Sequence, residues 1–405
     1  MNILLSSYSV NPKNGSEDGI GWHWTIECAK HFNSPKDKIY LVTKKANAKD
    51  TKYGIEKLGL KNVELVIVDT PYWLNWFREH NSAFHHIYYI LWQRVAYNWA
   101  KRSGIKFDII HHVTMGDFRI TGNMYKFKNA YTIFGPVGGG QSTPKSLKKY
   151  EKYPAIEKIR EIINKSRAIS PSYKRKINRF DKVYAINRET DTIISDAMNK
   201  PCERLFELAL SDEFKNLSIP EKNHDSVEIV FVGRLIEKKG LMLLLDVINS
   251  LPEDLNFTLK IYGSGGLEEK IKEYINTNDL NNKIVMCGNI DHSLVSQAYI
   301  NADIFVMPSL RETSGNVIIE AMAHKLPVVA LDMSISNDLK QYSCGEFINV
   351  NQSKENIIKE FADKLTYLIK NPQACSEYGE NGYHYVNTNM SWENKFNTIY
   401  NNIKE

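Results

Sequence analysis

Residues 304–323 read IFVMPSLRETSGNVIIEAMA, a short apolar run followed by a polar loop and a helical pattern. The run Ile304–Met307 has the length and composition of a buried strand. Glu312 falls in the loop that follows it. The helical pattern begins near Ser314, whose hydroxyl we expect to cap the helix. A buried strand that leads through a loop into a helix is typical of parallel α/β proteins.

The start of this predicted helix is a candidate anion site. We expect the backbone N–H groups of Gly315, Asn316 and Val317 to point out of the helix, where free amides and the helix dipole favour a diphosphate. Glu320, less than two turns further on, could accept hydrogen bonds from hydroxyl groups. A capped surface helix with ordinary acidic residues is the alternative interpretation.

The same alternation of short apolar runs and helical patterns covers most of the chain, and it starts again after a polar stretch at 210–226. We therefore predict two doubly wound α/β domains joined there. Strands are predicted at Ile3–Tyr8, Ile39–Thr43, Val63–Val68, Phe107–Val113, Tyr131–Phe134, Val183–Ile186, Val227–Val232, Phe257–Tyr262, Ile284–Cys287, Ile304–Met307 and Pro327–Ala330.

Two further glycine-containing loops follow predicted strands of the second half. Gly233 permits a tight turn, and Arg234 and Lys239 flank a loop that opens a helix. Two cations beside a helix start can neutralise a diphosphate leaving group, although a solvated basic loop would look the same. Gly263 lies in a glycine-rich turn that would let a nucleobase approach the backbone. This turn is not a dinucleotide fingerprint, because position 268 is Glu.

Together these motifs resemble a known family. Gly-Arg-Leu-x-x-x-Lys-Gly, Tyr-Gly-x-Gly and Glu-x7-Glu, in this order across residues 227–340, are similar to the family-4 retaining glycosyltransferases of the GT-B fold (glycosyl transferases group 1). The resemblance implies that Arg234 and Lys239 bind the donor diphosphate. It also implies that Glu312 lies near the transferred sugar as a catalytic residue and that Glu320 binds the ribose hydroxyls.

The resemblance also implies an architecture and a reaction. Two Rossmann-like domains would face each other across a cleft, with an acceptor-side domain at 1–210, a nucleotide-sugar-binding domain at 211–385 and a helix at 386–405 that crosses back to the first domain. The reaction would be retaining transfer of a hexose from a nucleotide sugar to a glycan or lipid-linked glycan, in bacterial surface polysaccharide biosynthesis. A nucleotide-sugar epimerase of the same fold and a non-catalytic nucleotide-binding scaffold remain as alternatives.

The first half supplies the remaining candidate residues. Gly15 and Ser16 begin a Gly-Ser-Glu-x-Gly-x-Gly-Trp run that resembles the donor-phosphate loop of a subset of the family. His111 and His112 end the fourth predicted strand, where the family places a donor-contacting His. Adjacent strand residues point to opposite faces, so the sequence leaves open which of them faces the cleft, and we take His112 as the catalytic candidate.

Acceptor-side residues are predicted in two loops. Arg119 follows the strand that carries the histidines. Gly138 and Gly139 belong to a run of glycines that we interpret as a loop at the end of the fifth strand. A purely structural turn is the alternative interpretation.

We expect neither a metal nor a cofactor. The chain contains no Asp-x-Asp pair, so a metal-bridged diphosphate is not supported, and the cations and helix amides would replace the metal ion. The five cysteines are scattered, which argues against a zinc site and against a disulfide framework. No nucleic-acid-binding motif accompanies the basic residues, so nucleic acid is not an expected partner.

Peripheral membrane contact is expected from two segments. Residues 72–99 contain ten aromatic side chains, and residues 145–182 contain thirteen Lys/Arg against four acids, a net +9 that leaves −4 for the rest of a chain with net +5. Helix packing and a solvated charged face are the alternative. The chain shows no signal peptide and no long apolar run, so we expect a cytoplasmic protein at the inner face of the cell membrane.

Overall fold

The computed structural model describes residues 1–14, 16–71, 85–210, 214, 217 and 226–403. The chain divides into two compact units. The N-terminal unit contains residues 1–140, 162–208 and 392–405, and the C-terminal unit contains residues 141–161 and 209–391. Each unit is built around its own parallel sheet, so the expected α/β class with two Rossmann-like sheets is confirmed.

The sheet of the N-terminal unit has seven strands, and all of its pairings are parallel. Their order is β3-β2-β1-β4-β5-β6-β7. The strands are β1 (Asn2–Ser7), β2 (Lys38–Thr43), β3 (Val63–Ile67), β4 (Ile109–Thr114), β5 (Tyr131–Val137), β6 (Lys182–Ala185) and β7 (Glu203–Arg204). The described α-helices of this half are α1 (Ser16–His31), α2 (Ala48–Lys57), α3 (His85–Arg102), α4 (Pro154–Ile169), α5 (Pro171–Ile177) and α6 (Arg188–Met198).

The sheet of the C-terminal unit has six parallel strands in the order β10-β9-β8-β11-β12-β13. They are β8 (Val227–Val232), β9 (Phe257–Tyr262), β10 (Ile284–Gly288), β11 (Ile304–Met307), β12 (Val328–Leu331) and β13 (Gly345–Ile348). The described α-helices that follow β8 are α7 (Leu241–Asn249), α8 (Glu268–Thr277), α9 (His292–Asn301), α10 (Asn316–Ala323), α11 (Ile335–Leu339), α12 (Lys354–Lys370), α13 (Pro372–Asn389) and α14 (Trp392–Tyr400).

Both sheets share one topological feature that positions a site. In each sheet the first three strands are added side by side in one direction. The fourth strand then pairs with the other side of the first strand, and the later strands continue in that opposite direction. This reversal opens a crevice at the carboxyl ends of β1 and β4 in one unit and of β8 and β11 in the other. Loops that leave these four strands are therefore where ligand-binding residues are expected.

The limits of the two units differ from the predicted domains in two places. Residues 141–161, which the prediction placed in the first domain, belong to the C-terminal unit. Arg311 pairs there with Glu151 and Glu157, with Nη1 of Arg311 2.6 Å from Oε2 of Glu157. The final helix joins the N-terminal unit from Trp392, whereas the prediction began it at 386.

The aromatic segment at 72–99 is only partly described. Tyr72, Trp73, Trp76, Phe77 and Phe84 lie outside the described residues. Of the others, Tyr88, Tyr89 and Trp92 on α3 are buried, and Tyr97 and Trp99 pack against the same core. In the described part of the segment, helix packing therefore accounts for the aromatic residues, as the alternative interpretation held. None of the described helices is both long enough and apolar enough to cross a bilayer.

Candidate functional site

Two loops meet at the crevice of the C-terminal sheet. One follows β8 and includes Arg234, Lys239 and Gly240, and the other follows β11. The amide of Leu310 donates to the carbonyl of Lys238 at 2.9 Å. Gly240 has φ of 72°, and a Cβ placed there would lie 2.0 Å from the carbonyl oxygen of Pro308. Backbone packing thus brings together the two motifs that were predicted to share a site.

Several contacts hold Glu312 at this crevice. Its Oε2 is 2.5 Å from Nζ of Lys239 and accepts a hydrogen bond from the hydroxyl of Ser309 at 3.2 Å. Its Oε1 accepts from the amide of Thr313 at 3.2 Å. The hydroxyl of Ser334 donates to the backbone carbonyl of Glu312 at 2.6 Å. The contacts of Lys239, Ser309 and Thr313 orient the carboxylate, and that of Ser334 holds the backbone.

The charge state of Glu312 follows from two opposing effects. Burial on its own would raise the pKa of this carboxyl group, but the ammonium of Lys239 and the amide of Thr313 outweigh burial and lower the pKa below its usual value. Glu312 is therefore ionised at neutral pH. An ionised carboxylate can accept hydrogen bonds from sugar hydroxyls or stabilise positive charge on a reacting sugar.

The loop after β8 concentrates positive charge. Burial lowers the pKa of Lys238, and the cations of Arg234 and Lys239 lower it further. Arg234 is exposed, and its side chain has no hydrogen-bond or ion-pair partner among the described residues. Arg234, Lys238 and Lys239 outnumber Glu237 of the same loop and the buried Glu312, so a surplus of positive charge remains that favours an anionic ligand.

The helix after Glu312 begins later than the sequence predicted. The expected hydroxyl cap at Ser314 is wrong, because α10 begins at Asn316 and is preceded by Gly315 in the left-handed conformation, with φ of 63° and no side-chain cap. Within the described part of the chain, the amides of Gly315, Asn316 and Val317 have no hydrogen-bond partner. The free amides expected at this helix start are therefore present.

Glu320 and Gly263 were also predicted to bind the donor. Oε2 of Glu320 accepts from the hydroxyl of Tyr299 at 3.1 Å, which fixes one side of the carboxylate. Gly263 has φ of 143°, and a Cβ there would lie 1.9 Å from the carbonyl oxygen of Gly233. Close packing of two backbone segments therefore explains this glycine, and its contact with a nucleobase stays a prediction.

The first unit places its candidate loop beside β4. Gly15 and the side chain of Ser16 lie outside the described residues, although Ser16 begins α1. The next residue, Glu17, accepts a hydrogen bond from the amide of Gly116 at 2.7 Å, so the start of α1 is joined to the loop after β4. A Cβ at Gly21 would lie 2.1 Å from the carbonyl oxygen of Ser9, which explains one glycine of the Gly-x-Gly-Trp run.

His111 and His112 are both fully buried, on opposite faces of the sheet. Nε2 of His111 is 2.6 Å from the carbonyl of Gly135, so this nitrogen must donate, and Nδ1 accepts from the hydroxyl of Tyr400 at 2.6 Å. Nε2 of His112 is 3.0 Å from the carbonyl of Met115, and Nδ1 is 3.2 Å from Nε2 of Gln93. This environment does not favour contact of either ring with a substrate, and a catalytic role for His112 stays a prediction.

The three residues predicted on the acceptor side lie together in the N-terminal unit. Gly138 donates to the carbonyl of Gly116 at 2.7 Å and accepts from the amide of Phe118 at 3.1 Å. Nη2 of Arg119 would be 3.4 Å from a Cβ placed on Gly139. The guanidinium of Arg119 binds both carboxylate oxygens of Asp117, at 2.7 and 3.0 Å.

Several positioning residues were not predicted. Ser309 and Ser334 hold Glu312, Tyr299 holds Glu320, and Gly240 lets the two loops meet. Only Gly240 carried a signal in the sequence, since it ends the Gly-Arg-Leu-x-x-x-Lys-Gly motif. Tyr299 and Ser334 carry none, because their partners are 21 and 22 positions away, and Ser309 carries none, because a single Ser three residues before Glu312 is an ordinary loop residue. Among the described residues, no group of three or more His, Cys, Asp or Glu is placed to hold a metal ion.

Comparison with known proteins finds a family match in the second half of the chain. Residues 212–385 match the family model of glycosyl transferases group 1. An uncharacterized glycosyltransferase from Methanocaldococcus jannaschii is 28% identical over 198 residues, which are 45% of this chain and 52% of that protein. The amylovoran biosynthesis glycosyltransferase AmsK of Erwinia amylovora is 31% identical over 147 residues, which are 34% of this chain and 36% of AmsK.

The fold of the whole chain also matches solved structures. HepE from Anabaena, solved in complex with UDP and glucose, superposes with a TM-score of 0.63 at 14% identity, and the match covers 100% of this chain and 99% of HepE. WaaG, a glycosyltransferase involved in lipopolysaccharide biosynthesis, superposes with a TM-score of 0.63 at 14% identity, with 98% and 99% coverage. The GT-B fold class expected from the sequence is thereby confirmed.

Proposed function

We propose that this protein is a retaining glycosyltransferase that transfers a hexose from a nucleotide sugar to a glycan or lipid-linked glycan. The proposal depends on one observation. Lys239 and Glu312, which come from different loops, form an ion pair at the crevice of the C-terminal sheet. The free amides of Gly315, Asn316 and Val317 follow Glu312 at the start of α10. Crevices of this kind are where open α/β sheets bind nucleotides.

The proposed chemistry follows from the charges at this crevice. Departure of a nucleoside diphosphate develops negative charge, and cations and amides already aimed at that charge lower the barrier most. Arg234, Lys239 and the helix amides would fill this role, so we propose that no metal ion is required. The ionised carboxylate of Glu312 would face the positive charge that develops on the sugar as the bond to phosphate breaks.

The relatives suggest a donor and a pathway. HepE was solved with UDP and glucose, and AmsK is named for amylovoran biosynthesis. We therefore propose a UDP-hexose as the first donor to test, and bacterial surface polysaccharide biosynthesis as the pathway.

Peripheral membrane contact belongs to the same proposal, with the protein at the inner face of the cell membrane. Helix α4 exposes several isoleucines among its basic residues, an amphiphilic pattern suited to a membrane interface. The exposed isoleucines are Ile156, Ile159, Ile162, Ile163 and Ile169.

A thermal-shift screen of UDP-, GDP-, ADP- and CMP-sugars tests the donor site directly. A ligand at a hundred times its Kd stabilises the folded protein by about 2.7 kcal/mol, so one base should raise the melting temperature clearly. Lys239→Met should abolish most of that rise, because it removes the cation that faces the diphosphate. Lys270→Met, which removes an exposed lysine from α8, is the matched control and should keep the rise. Equal responses of the two variants, or no response of the wild type to any nucleotide sugar, would overturn the proposal.

A further inference from the structure

A separate cavity of about 270 Å³ opens in the N-terminal unit. It lies between α3, the loop after β4 and the stretch from the end of α4 through α5, and all of its lining residues belong to that one unit. Four of the lining residues are cations, namely Arg94, Arg119, Arg167 and Lys176.

The charge of this cavity is not balanced by the residues that line it. None of the described residues that line the cavity is Asp or Glu. Asp117 neutralises Arg119 through two hydrogen bonds, which leaves three further cations. Arg94, Arg167 and Lys176 have no hydrogen-bond or ion-pair partner in the described part of the chain. Neighbouring cations without acids attract an anion strongly.

Arg167 provides a second, independent indication of a ligand. Its Nε is buried and has no hydrogen-bond partner among the described residues. The nearby hydroxyl of Tyr173 is already committed to the carbonyl of Phe118, at 2.9 Å. A buried donor on a charged group costs free energy unless a ligand or water satisfies it. An oxyanion that enters the cavity would provide the missing acceptor.

The rim of the cavity is apolar on one side. Ile90 lines the cavity and is 52% exposed, and Ile87, one turn earlier on α3, is 51% exposed. Arg94 follows Ile90 by one further turn, so a cation and two exposed isoleucines share one helix face. This combination suits a ligand that carries both an anionic group and an apolar part.

We propose that this cavity binds a phosphate group of the acceptor. The guanidinium group of arginine binds phosphate oxygens through paired hydrogen bonds. A phosphate group has enough charge and enough oxygens to bind three unpaired cations at once. The inference rests on the proposed function in that it names the chemical class of the acceptor, which is a phosphorylated lipid or glycan. Arg94, Arg167 and Lys176 are then the residues that select it.

The test measures phosphate binding by the chain of residues 1–405 and by three variants of it. Glycerol 3-phosphate in a calorimeter is the soluble probe, and phosphatidylcholine vesicles with and without phosphatidic acid are the membrane probe. Arg167→Gln should weaken binding about tenfold, the effect of losing one charge-assisted contact. Arg175→Gln removes an exposed cation from α5 that does not line the cavity, and it should keep binding within about twofold of the wild type. Lys239→Met should also keep binding, because it affects only the donor site.

The outcomes separate the source of the phosphate. Binding to both probes supports phosphate recognition as such, and binding only to vesicles with phosphatidic acid supports a lipid headgroup. Equal losses in Arg167→Gln and Arg175→Gln would show diffuse surface charge and overturn the proposal, as would no binding of either probe by the wild type. Tryptophan fluorescence of all three variants, together with the nucleotide-sugar thermal shift of Arg167→Gln and Arg175→Gln, shows that each variant is folded. Failure of that shift in the wild type would refute the donor site and leave the phosphate result intact.

Discussion

His111 and His112 are neighbours on β4 whose side chains enter two different parts of the core. His111 contacts Tyr400 of the last helix and the edge of Trp24, with ring centroids 5.1 Å apart in the second pair. His112 contacts Gln93 on α3. Burial lowers the pKa of His111 to about 3 and that of His112 to about 4. Both imidazole rings are therefore neutral in the folded protein at neutral pH.

This burial predicts a stability loss in weak acid. In the unfolded chain these histidines bind protons near pH 6.5, whereas in the folded chain they do not. The free energy of unfolding is therefore unaffected by them above that pH and falls as the pH drops from 6.5 toward 4. At pH 5 each of the two histidines should lower the free energy of unfolding by about 2 kcal/mol relative to pH 7.5. Urea unfolding followed by tryptophan fluorescence at pH 7.5 and 5.0 measures the loss. The stability of His111→Gln should change less between these pH values than that of the wild type. His384→Gln, on the exposed face of α13, should lose as much stability as the wild type.

Single residues also show what the sequence could and could not predict. Arg234, Lys239 and Glu312 were chosen by motif, and the structure brings the last two into contact. The capping role of Ser314 was wrong because a left-handed Gly315 displaces the helix start by two residues. Propensity rules favour Ser as a cap, but they do not include the turn that the loop must make to pass Ile335, whose Cγ2 lies 2.6 Å from a Cβ placed on Gly315.

At the scale of elements, the crevice of the C-terminal unit depends on two loops that touch through their backbones. Gly240 is both the left-handed cap of α7 and the point of closest approach to Pro308. A side chain there would have to push the β11 loop away and would also strain the backbone. The distance between Lys239 and Glu312 is thus controlled by a residue without a side chain.

Gly240→Ala should therefore disturb the site more than a typical loop substitution. We expect a loss of stability above about 2 kcal/mol and a loss of nucleotide binding, measured by urea unfolding and by the thermal shift. Gly266→Ala is the matched control, since a Cβ there meets nothing within 4 Å and the φ of this glycine is not in the left-handed region. It should be neutral or stabilising by up to about 1 kcal/mol. Similar behaviour of the two variants would contradict the proposed packing.

Strands were predicted well where apolar runs were long. The predicted limits of β8, β9 and β11 coincide with those observed. β13 (Gly345–Ile348) was missed because it is four residues long and begins with Gly and Glu, which are uncommon in strands. Its register is set by hydrogen bonds to β12, a tertiary effect that no local pattern encodes.

For the whole molecule, the two units differ in a way that makes them separately observable. All seven tryptophans fall within the residue ranges of the N-terminal unit, so their fluorescence reports on that unit. Assignment of residues 141–161 to the C-terminal unit could not be predicted, because its contacts, such as the ion pairs of Glu151 and Glu157 with Arg311, join positions more than 150 apart.

The two units should respond separately to core substitutions. Phe396→Ala on α14 removes a buried ring that packs against Trp24, and it should lower the unfolding midpoint seen by tryptophan fluorescence by the equivalent of about 3–5 kcal/mol. Phe361→Ala on α12 removes an equally buried ring from the C-terminal unit and should lower mainly the circular-dichroism midpoint. If Phe361→Ala shifts the fluorescence transition as much as Phe396→Ala, the chain unfolds as one cooperative body.

The contact between Lys239 and Glu312 has a consequence for inhibitors. Without ligand, the ammonium already has a counter-ion, so in the proposed donor complex a diphosphate would compete for Lys239 with a carboxylate that Ser309 and Thr313 also hold. A zwitterionic compound, with an anion toward the helix amides and a cationic ring in the sugar position, would satisfy both partners at once. Molecules of that shape should compete better than a plain nucleoside diphosphate.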